Sequence, residues 1–343
     1  MRVFIGTWRC NLYRLFIEDE NEFKRFLAIT DSEYIDVLLN SGVSRLINDS
    51  NEIFGCMSVE TNCGVSDTGM HCRLPRKDLL SLSFSGVIDI TEVENSKLQI
   101  DFRLRDDTLV YSVIITSQDI FADGYSKKLD TITRLSNKID FDCIDIGIIN
   151  RISKSSNSII SCTNGVIGSR LRDNCRIYKK TDMDVSFSAT ARSISVLRSF
   201  SDELFSLEGY IGVVSGNVIL LATKTRDNIN DDFDLIKEEK SKFICTVDFS
   251  SVIGFMTKVK PDVDYVEIEL EQQLCVIERG RAVYRIPVKV SELIKSEKAV
   301  LNSIRIPKSV ILYALNVFGS GVWQVAQRRY FFTLEKEGTL LVI

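Results

Sequence analysis

Residues 243–287 read FICTVDFSSVIGFMTKVKPDVDYVEIELEQQLCVIERGRAVYRIP, and the pattern of this stretch organises the whole chain. A short apolar strand, FICTVD, precedes an amphipathic helix over SSVIGFMTKVK. The segments VDYVEIELE, QQLCVIERG and RAVYRIPVK then alternate apolar and polar residues, as a strand with one buried face does. The stretch therefore predicts a β-α-β-β-β unit.

The same order of elements recurs along the chain. It follows directly as NSIRIP, the helix KSVILYALNVFGS and the strands GVWQVAQRR, YFFTLEKEG and TLLVI, with Pro307 and Gly319 as helix start and stop signals. Four more copies lie upstream. Their first strands are FDCID, DVSFSA, RLFIED and HCRLP, and the helices that follow these strands are, in the same order, IGIINRISKSSN, TARSISVLRSFSDE, NEFKRFLAIT and RKDLLSLSFSG.

Six half-units predict an α+β protein of three repeated domains, over residues 1–120, 121–228 and 229–343. A chain of 343 residues has room for them. The stretches near 119–138 and 226–241 are polar, and we expect them to be exposed connections between the domains.

Composition limits the classes of function. There are 43 basic and 47 acidic side chains, so the net charge is −4 and any surface facing DNA must be local. No apolar run approaches the roughly 20 residues that span a bilayer, and the start MRVFIGTWRC lacks the apolar core of a signal peptide. We expect a soluble, intracellular protein without a membrane partner.

The cysteines and the single histidine argue against catalysis. Nine cysteines are scattered with no CxxC pair, which indicates reduced thiols and no structural metal. His71 stands beside Cys72, and a hydrolase that uses this pair remains an alternative. The chain lacks the phosphate-loop, nucleophile-elbow and HExxH motifs. We therefore expect no enzyme activity, metal or cofactor.

Each repeated helix carries cations opposite an apolar face, such as the face formed by Phe23, Phe26 and Leu27. Repeated positive charge in an acidic chain predicts a local track for DNA phosphates that reads no sequence. Solvation of exposed helix faces is the alternative for any single residue. The candidate DNA-binding residues are Lys24, Arg25, Arg76, Lys77, Arg151, Lys154, Arg192, Arg198, Lys258, Lys260 and Lys308.

This succession of elements resembles the sliding clamps, the processivity factors of DNA polymerases, of the three-domain bacterial type. The resemblance covers nearly the whole chain and is carried by its architecture, most clearly by residues 243–277 and 303–343. It implies a ring with helices lining the hole and antiparallel sheets outside, closed by a head-to-tail homodimer. Such a ring encircles duplex DNA and tethers the replicative DNA polymerase, and an ATP-dependent clamp loader opens it.

The resemblance also implies a groove between the second and third domains where partner peptides dock. Its residues here would be Thr163, Ile167, Leu171, Leu235, Ile236, Leu341, Val342 and Ile343. The segment SCTNGVIGSRL departs from the family by lacking its Asp-Gly-His motif. This departure and the Ile-, Asn- and Ser-rich composition indicate a divergent, phage-encoded clamp in the cytoplasm of a bacterial or infected host cell. The alternative within this fold is a transcription coactivator or a scaffold for repair and nuclease factors.

Overall fold

A computed structural model of the chain describes residues 12–63, 70–81, 86–94, 97–116, 125–136, 142–144, 159–170, 175–182, 185–226, 229–259, 263–279, 281–295 and 303–343. The first part of the chain contains β1 (Leu12–Ile17), α1 (Glu20–Leu27), β2 (Tyr34–Leu39), β3 (Gly42–Asp49), β4 (Ile53–Cys63), β5 (Met70–Pro75), α2 (Arg76–Ser81), β6 (Gly86–Glu94), β7 (Lys97–Leu104), β8 (Leu109–Thr116), α3 (Ser126–Ser136) and β9 (Asp142–Ile144).

The middle of the chain contains β10 (Ile159–Thr163), β11 (Val166–Arg170), β12 (Arg176–Lys180), β13 (Phe187–Thr190), α4 (Ala191–Arg198), β14 (Leu204–Leu207), β15 (Tyr210–Ser215), β16 (Val218–Thr223), a 3-10 turn (Ile229–Asp232) and α5 (Phe233–Glu238). The last part contains β17 (Phe243–Asp248), α6 (Ser250–Val259), β18 (Tyr265–Glu269), β19 (Leu274–Arg279), β20 (Ala282–Pro287), β21 (Lys289–Lys295), β22 (Ser303–Pro307), α7 (Lys308–Phe318), β23 (Val322–Gln327), β24 (Phe332–Lys336) and β25 (Thr339–Val342). None of the helices in these ranges has the length and apolar character that a membrane crossing requires.

Two compact units account for the chain, one formed by Met1–Cys143 with Ser195–Thr223 and the other by Ile144–Ile194 with Lys224–Ile343. The sheet of the first unit runs β8-β7-β6-β1-β4-β16-β15-β14, and β3 joins β2 and β5 to β4. In β1, Tyr13 and Leu15 are fully buried, and α1 covers this core with Phe23, Phe26 and Leu27.

The second unit has two sheets, with strand orders β13-β10-β11-β12-β25-β24-β23-β17-β21 and β20-β19-β18-β22. Its largest buried side chain is Trp323, whose ring stacks on Phe249 with centroids 4.3 Å apart. Helix α6 contributes Val252, Ile253 and Met256 to the core.

One antiparallel strand pairing occurs at equivalent places in both units. At the first junction β4 pairs with β16, and at the second junction β12 pairs with β25. In each case the last strand of one predicted domain's first half-unit pairs with the last strand of the next predicted domain's second half-unit. Among the described strands, the two that remain in these positions, β20 and β8, each pair with a single neighbour.

The structure confirms the half-unit order read from the sequence. Five of the six predicted helices form, as α1, α2, α4, α6 and α7, and the sixth, over 146–157, lies outside the described residues. The two polar connections differ from expectation because they contain α3 and α5, which bury Ile132 and Leu135 in one case and Phe233 and Ile236 in the other. The boundaries of the three domains remain a prediction, since edge-to-edge strand pairing joins neighbouring domains into the two units.

Candidate DNA-facing helices and partner groove

The predicted DNA-binding cations differ in exposure. Arg25, Lys77, Arg192 and Lys258 are exposed, and they lie on α1, α2, α4 and α6. Lys24, Arg76, Arg198 and Lys308 are half-buried. Arg151, Lys154 and Lys260 lie outside the described residues.

The half-buried cations have contacts that hold the local structure. Lys24 Nζ lies 2.6 Å from the Glu20 carboxylate, one helical turn away. Arg76 donates from Nε to the Ser32 carbonyl at 2.6 Å and from Nη1 to the Leu27 carbonyl at 3.0 Å, so it ties the end of α1 to the start of α2. These contacts make the exposed cations the better candidates for phosphate binding.

Arg25 of α1 contacts the residues that follow α4, within the first unit. Its Nη1 donates to the Ser199 carbonyl at 3.0 Å, just beyond the end of α4, and its guanidinium lies 5.0 Å from the centroid of the Phe200 ring. A cation at a helix C-terminus is favoured by the backbone carbonyls that lack partners there. Arg25 therefore combines an exposed charge with a structural contact.

Two of the residues predicted to line the partner groove lie in an apolar cluster at the second junction. Buried Val166, Tyr178, Phe233, Ile236, Leu340 and Val342 form this second-junction cluster, and half-buried Ile159 and Phe331 pack against it. The rings of Tyr178 and Phe233 are 5.3 Å apart, and burial raises the pKa of the Tyr178 hydroxyl. Of the predicted pocket residues, Ile236 and Val342 belong to the cluster.

Strand geometry places the remaining predicted residues elsewhere. Ile167 and Leu341 are fully buried, but they follow Val166 and Leu340 directly and so lie on the opposite face of the sheet. Thr163 is half-buried at the end of β10, and Leu171 lies outside the described residues.

Two exposed apolar side chains directly precede residues of the cluster or packed against it, Leu235 before Ile236 and Tyr330 before Phe331. Leu235 in α5 is 68% exposed, and Tyr330, in the turn between β23 and β24, is 77% exposed. Ile343 is half-buried, and its amide and carbonyl hydrogen-bond with Phe332, so the end of the chain is held in the sheet.

Sequence reasoning missed Val166, Tyr178, Phe233 and Leu340, although a signal for the strand residues was present. Two neighbouring residues of a strand cannot line one groove, so the choice of Val342 implied Leu340 rather than Leu341. Phe233 and Ile236 are three residues apart, the spacing of one helix face. Asn230 then holds the 3-10 turn on the sheet, because its Nδ2 donates to the Val166 carbonyl at 2.6 Å and to the Ser161 carbonyl at 3.3 Å.

The hydrolase alternative is wrong in its geometry. His71 is exposed and Cys72 fully buried, because successive residues of β5 face opposite sides of the sheet. Burial raises the pKa of the Cys72 thiol to about 12, which disfavours the thiolate that a cysteine nucleophile requires. Within the described ranges, no group of three or more His, Cys, Asp or Glu side chains is placed to hold a metal ion.

No family model matches the sequence, and a search of curated proteins gave no match. Solved structures match over nearly the whole chain. DNA polymerase III beta chain from Streptococcus pneumoniae is 11% identical, with a TM-score of 0.63 over 97% of this chain and 98% of that one. A DNA polymerase sliding clamp from Pseudomonas aeruginosa is 10% identical, with a TM-score of 0.62 over 96% and 98%.

A putative DNA polymerase III beta subunit from Eubacterium rectale is 9% identical, with a TM-score of 0.65 over 96% of this chain and 98% of that one. The chain therefore has the sliding clamp fold, as the resemblance in the Sequence analysis implied.

Proposed function

We propose that this chain is a sliding clamp that encircles duplex DNA without reading its sequence and tethers a replicative DNA polymerase as a processivity factor. The observation that carries the proposal is the clamp fold over 96–97% of the chain. The exposed cations on four of the repeated helices support it, because binding that is independent of sequence depends on Lys and Arg near phosphates. Enclosure explains how weak, transient contacts give long residence while the ring still slides.

A head-to-tail homodimer completes this proposal, and the repeated junctions support it. The pairing of β4 with β16 and of β12 with β25 leaves β20 and β8 as the third pair of equivalent strands. In a dimer, β20 of one copy would pair antiparallel with β8 of the other copy, in the same way as the strands at the two internal junctions. Two such pairings would close a ring of six domains.

The side chains of these two edges fit that role. In β8, Val110 is 52% exposed and Ile114 is 60% exposed, and in β20 Val283 is 47% exposed. An exposed apolar edge strand is a template for pairing with another chain. Pairing with a second copy buries both edges at once.

Partners follow from the ring and from the second-junction cluster. A closed ring needs an ATP-dependent clamp loader to open it, and the polymerase needs a docking site. We assign the docking site to the second-junction cluster, where Phe331 packs against a group that includes the buried Val342 and Ile236, and where the neighbouring Leu235 of α5 is exposed. A short peptide with an apolar anchor fits this surface, and the function needs no catalytic group in the clamp.

A loader-free retention experiment tests the enclosure. The protein is mixed with linear biotinylated duplex so that it threads over the ends, streptavidin then caps both ends, and the sample is washed at high salt. We expect retention on capped DNA and release when a restriction enzyme cuts the same DNA. Equal release from capped and open DNA would show that the chain does not encircle its template.

A further inference from the structure

The first junction carries an apolar cluster built like the second-junction cluster. Its buried residues come from both sides of the β4–β16 pairing, with Leu38, Ile47, Phe54 and Cys56 on one side and Leu207, Ile219 and Leu221 on the other. A helix formed by the chain between the two predicted domains covers each cluster, α3 at the first junction and α5 at the second. The chain therefore contains two equivalent apolar surfaces.

The two covering helices differ in how much surface they occupy. Helix α3 has 11 residues, and Tyr125 just before it together with Leu129, Ile132 and Leu135 forms a stripe at helical spacing over the first-junction cluster. Leu135 is fully buried, and Ile132 is 4% exposed. Helix α5 has six residues and contributes only Phe233 and Ile236 from the described helix, while Leu235 faces solvent.

Two polar anchors hold the start of α3 on the sheet. Lys128 Nζ lies 2.7 Å from the Asp49 carboxylate and 4.9 Å from the centroid of the Phe54 ring. The Tyr125 hydroxyl donates to Asp36, which also accepts from Arg73 Nε at 2.6 Å.

The second junction has ion pairs too, Arg176 with Asp232 at the end of the 3-10 turn and Lys237 of α5 with Glu335. The length of the apolar stripe, rather than the anchoring, therefore distinguishes the two junctions.

We propose that α3 is a built-in strap: it occupies a groove at the first junction that accepts an apolar helical peptide once α3 is released. This inference rests on the proposed function for its biological meaning. Its physical content is that an apolar helical peptide fits the first-junction groove and that this chain supplies that peptide itself.

The strap is tested by loosening α3 while its apolar stripe stays intact. In the double variant Tyr125→Phe/Lys128→Ala both anchors are lost, and Lys127→Ala removes an exposed lysine from the same helix as the matched control. Amide hydrogen exchange of α3 should become about tenfold faster or more in the double variant, the effect of losing hydrogen bonds to charged groups. The control should exchange like the wild type.

A labelled synthetic peptide with the sequence of residues 125–136 then probes the groove. We expect one peptide to bind per chain of the double variant and much weaker binding to the wild type and to Lys127→Ala. Leu129→Ala, which shortens the stripe but keeps both anchors, should give the same direction of change if the double variant fails to fold.

Unchanged exchange in α3, or faster exchange without peptide binding, would overturn the strap. Neither readout involves DNA or a polymerase, so the two proposals can fail independently. Failure of the strap test with retention on capped DNA would contradict the strap alone, and loss of retention with a positive strap test would contradict the clamp function alone.

Discussion

At the scale of single residues, Gly168 is fixed by a close approach. A Cβ at this position would lie 2.2 Å from Asn230 Oδ1 and 3.0 Å from the Tyr178 ring. Gly168→Ala should displace the 3-10 turn and lower the free energy of unfolding by about 1–3 kcal/mol. A Cβ at Gly254 in α6 would have nothing within 4 Å, so Gly254→Ala should raise the free energy of unfolding by about 0.5–1 kcal/mol. Urea denaturation of both variants measures the contrast, and equal effects would contradict it.

Val342 and Leu235 separate the core of the partner groove from its surface. Val342 is 7% exposed within the second-junction cluster, so Val342→Ala should lower the free energy of unfolding by about 1–3 kcal/mol. Leu235 is 68% exposed, and Leu235→Ala should change stability by about 0.5 kcal/mol or less while weakening binding of a labelled peptide with an apolar anchor. Thermal melts and fluorescence anisotropy give the two readouts. Peptide affinity that survives Leu235→Ala would place the docking site elsewhere.

The residues of the second-junction cluster could be predicted only in part. The sequence places the chain end and the segment around residue 236 near one another only through the resemblance, because no local pattern records a contact between β12 and β25. Strand alternation could have separated Leu341 from Val342. The contact of Asn230 with the carbonyl of Val166 could not be read, since it joins residues 64 positions apart.

At the scale of elements, the start of α6 gives a pH-dependent contribution to stability. Asp248 accepts a hydrogen bond from the Ser250 amide at 2.9 Å. Hydrogen bonding to the Ser250 side chain, and then to this amide, lowers the pKa of Asp248. A lowered carboxyl pKa stabilises the fold above the unfolded pKa of about 3.9, and the contribution is lost as pH falls through the folded value. Asp248→Ala should therefore destabilise the protein by about 1 kcal/mol at pH 7 and by less near pH 3. Urea denaturation of the wild type and of Asp248→Ala at both pH values measures this difference in stability. A difference that is larger at pH 3 than at pH 7 would contradict the prediction.

The edge strands β8 and β20 carry the prediction about assembly. Val110→Lys/Ile114→Lys places charges on the exposed side chains of β8, where pairing with β20 of a second copy would bury them. Analytical ultracentrifugation should show a dimer for the wild type at micromolar concentration and a monomer for this variant. Val283→Lys on β20 should act in the same direction. Val93→Lys is the control, because Val93 is 40% exposed in β6, which has a neighbour on each side.

A wild-type monomer, or a dimer that survives both edge changes, would remove β8 and β20 as the contact between copies.

Helices and strands were predictable where apolar residues recur at regular spacing. They were missed where many polar and charged residues lie between the apolar positions. Helix α1 is easy to predict because Asp19 caps its start, where it accepts hydrogen bonds from the amides of Asn21 and Glu22, and because three buried residues follow at helical spacing. In α3, Leu129, Ile132 and Leu135 have the same helical spacing, but lysines, an aspartate and threonines lie between them. The sequence of this segment is therefore also typical of a polar connection. Its tertiary contacts with β3, β4 and β16 stabilise the helix, and local composition does not record them.

At the scale of the whole molecule, cations spread over several helices should act together on DNA. Lys77, Arg192 and Lys258 are exposed and lie on three different repeated helices, so replacing all three with Gln removes charge from the proposed track. Each lost phosphate contact should reduce the slope of log Kobs against log salt by about 0.9, which gives a reduction of about 2–3 for the triple variant. Exposed charges contribute little to folding, so the melting temperature should stay nearly constant.

The matched control replaces Lys97, Lys127 and Lys240, which are also exposed but lie outside the repeated helices, and changes the net charge by the same amount. Equilibrium binding to open linear duplex across a salt series measures both triple variants. If long-range attraction by net charge dominated, the two variants would lose affinity equally. A local track predicts that only the helix variant does, because screening over about 10 Å at 0.1 M salt confines each cation to its own neighbourhood. Equal salt slopes in the two variants would mean that these helices do not face DNA.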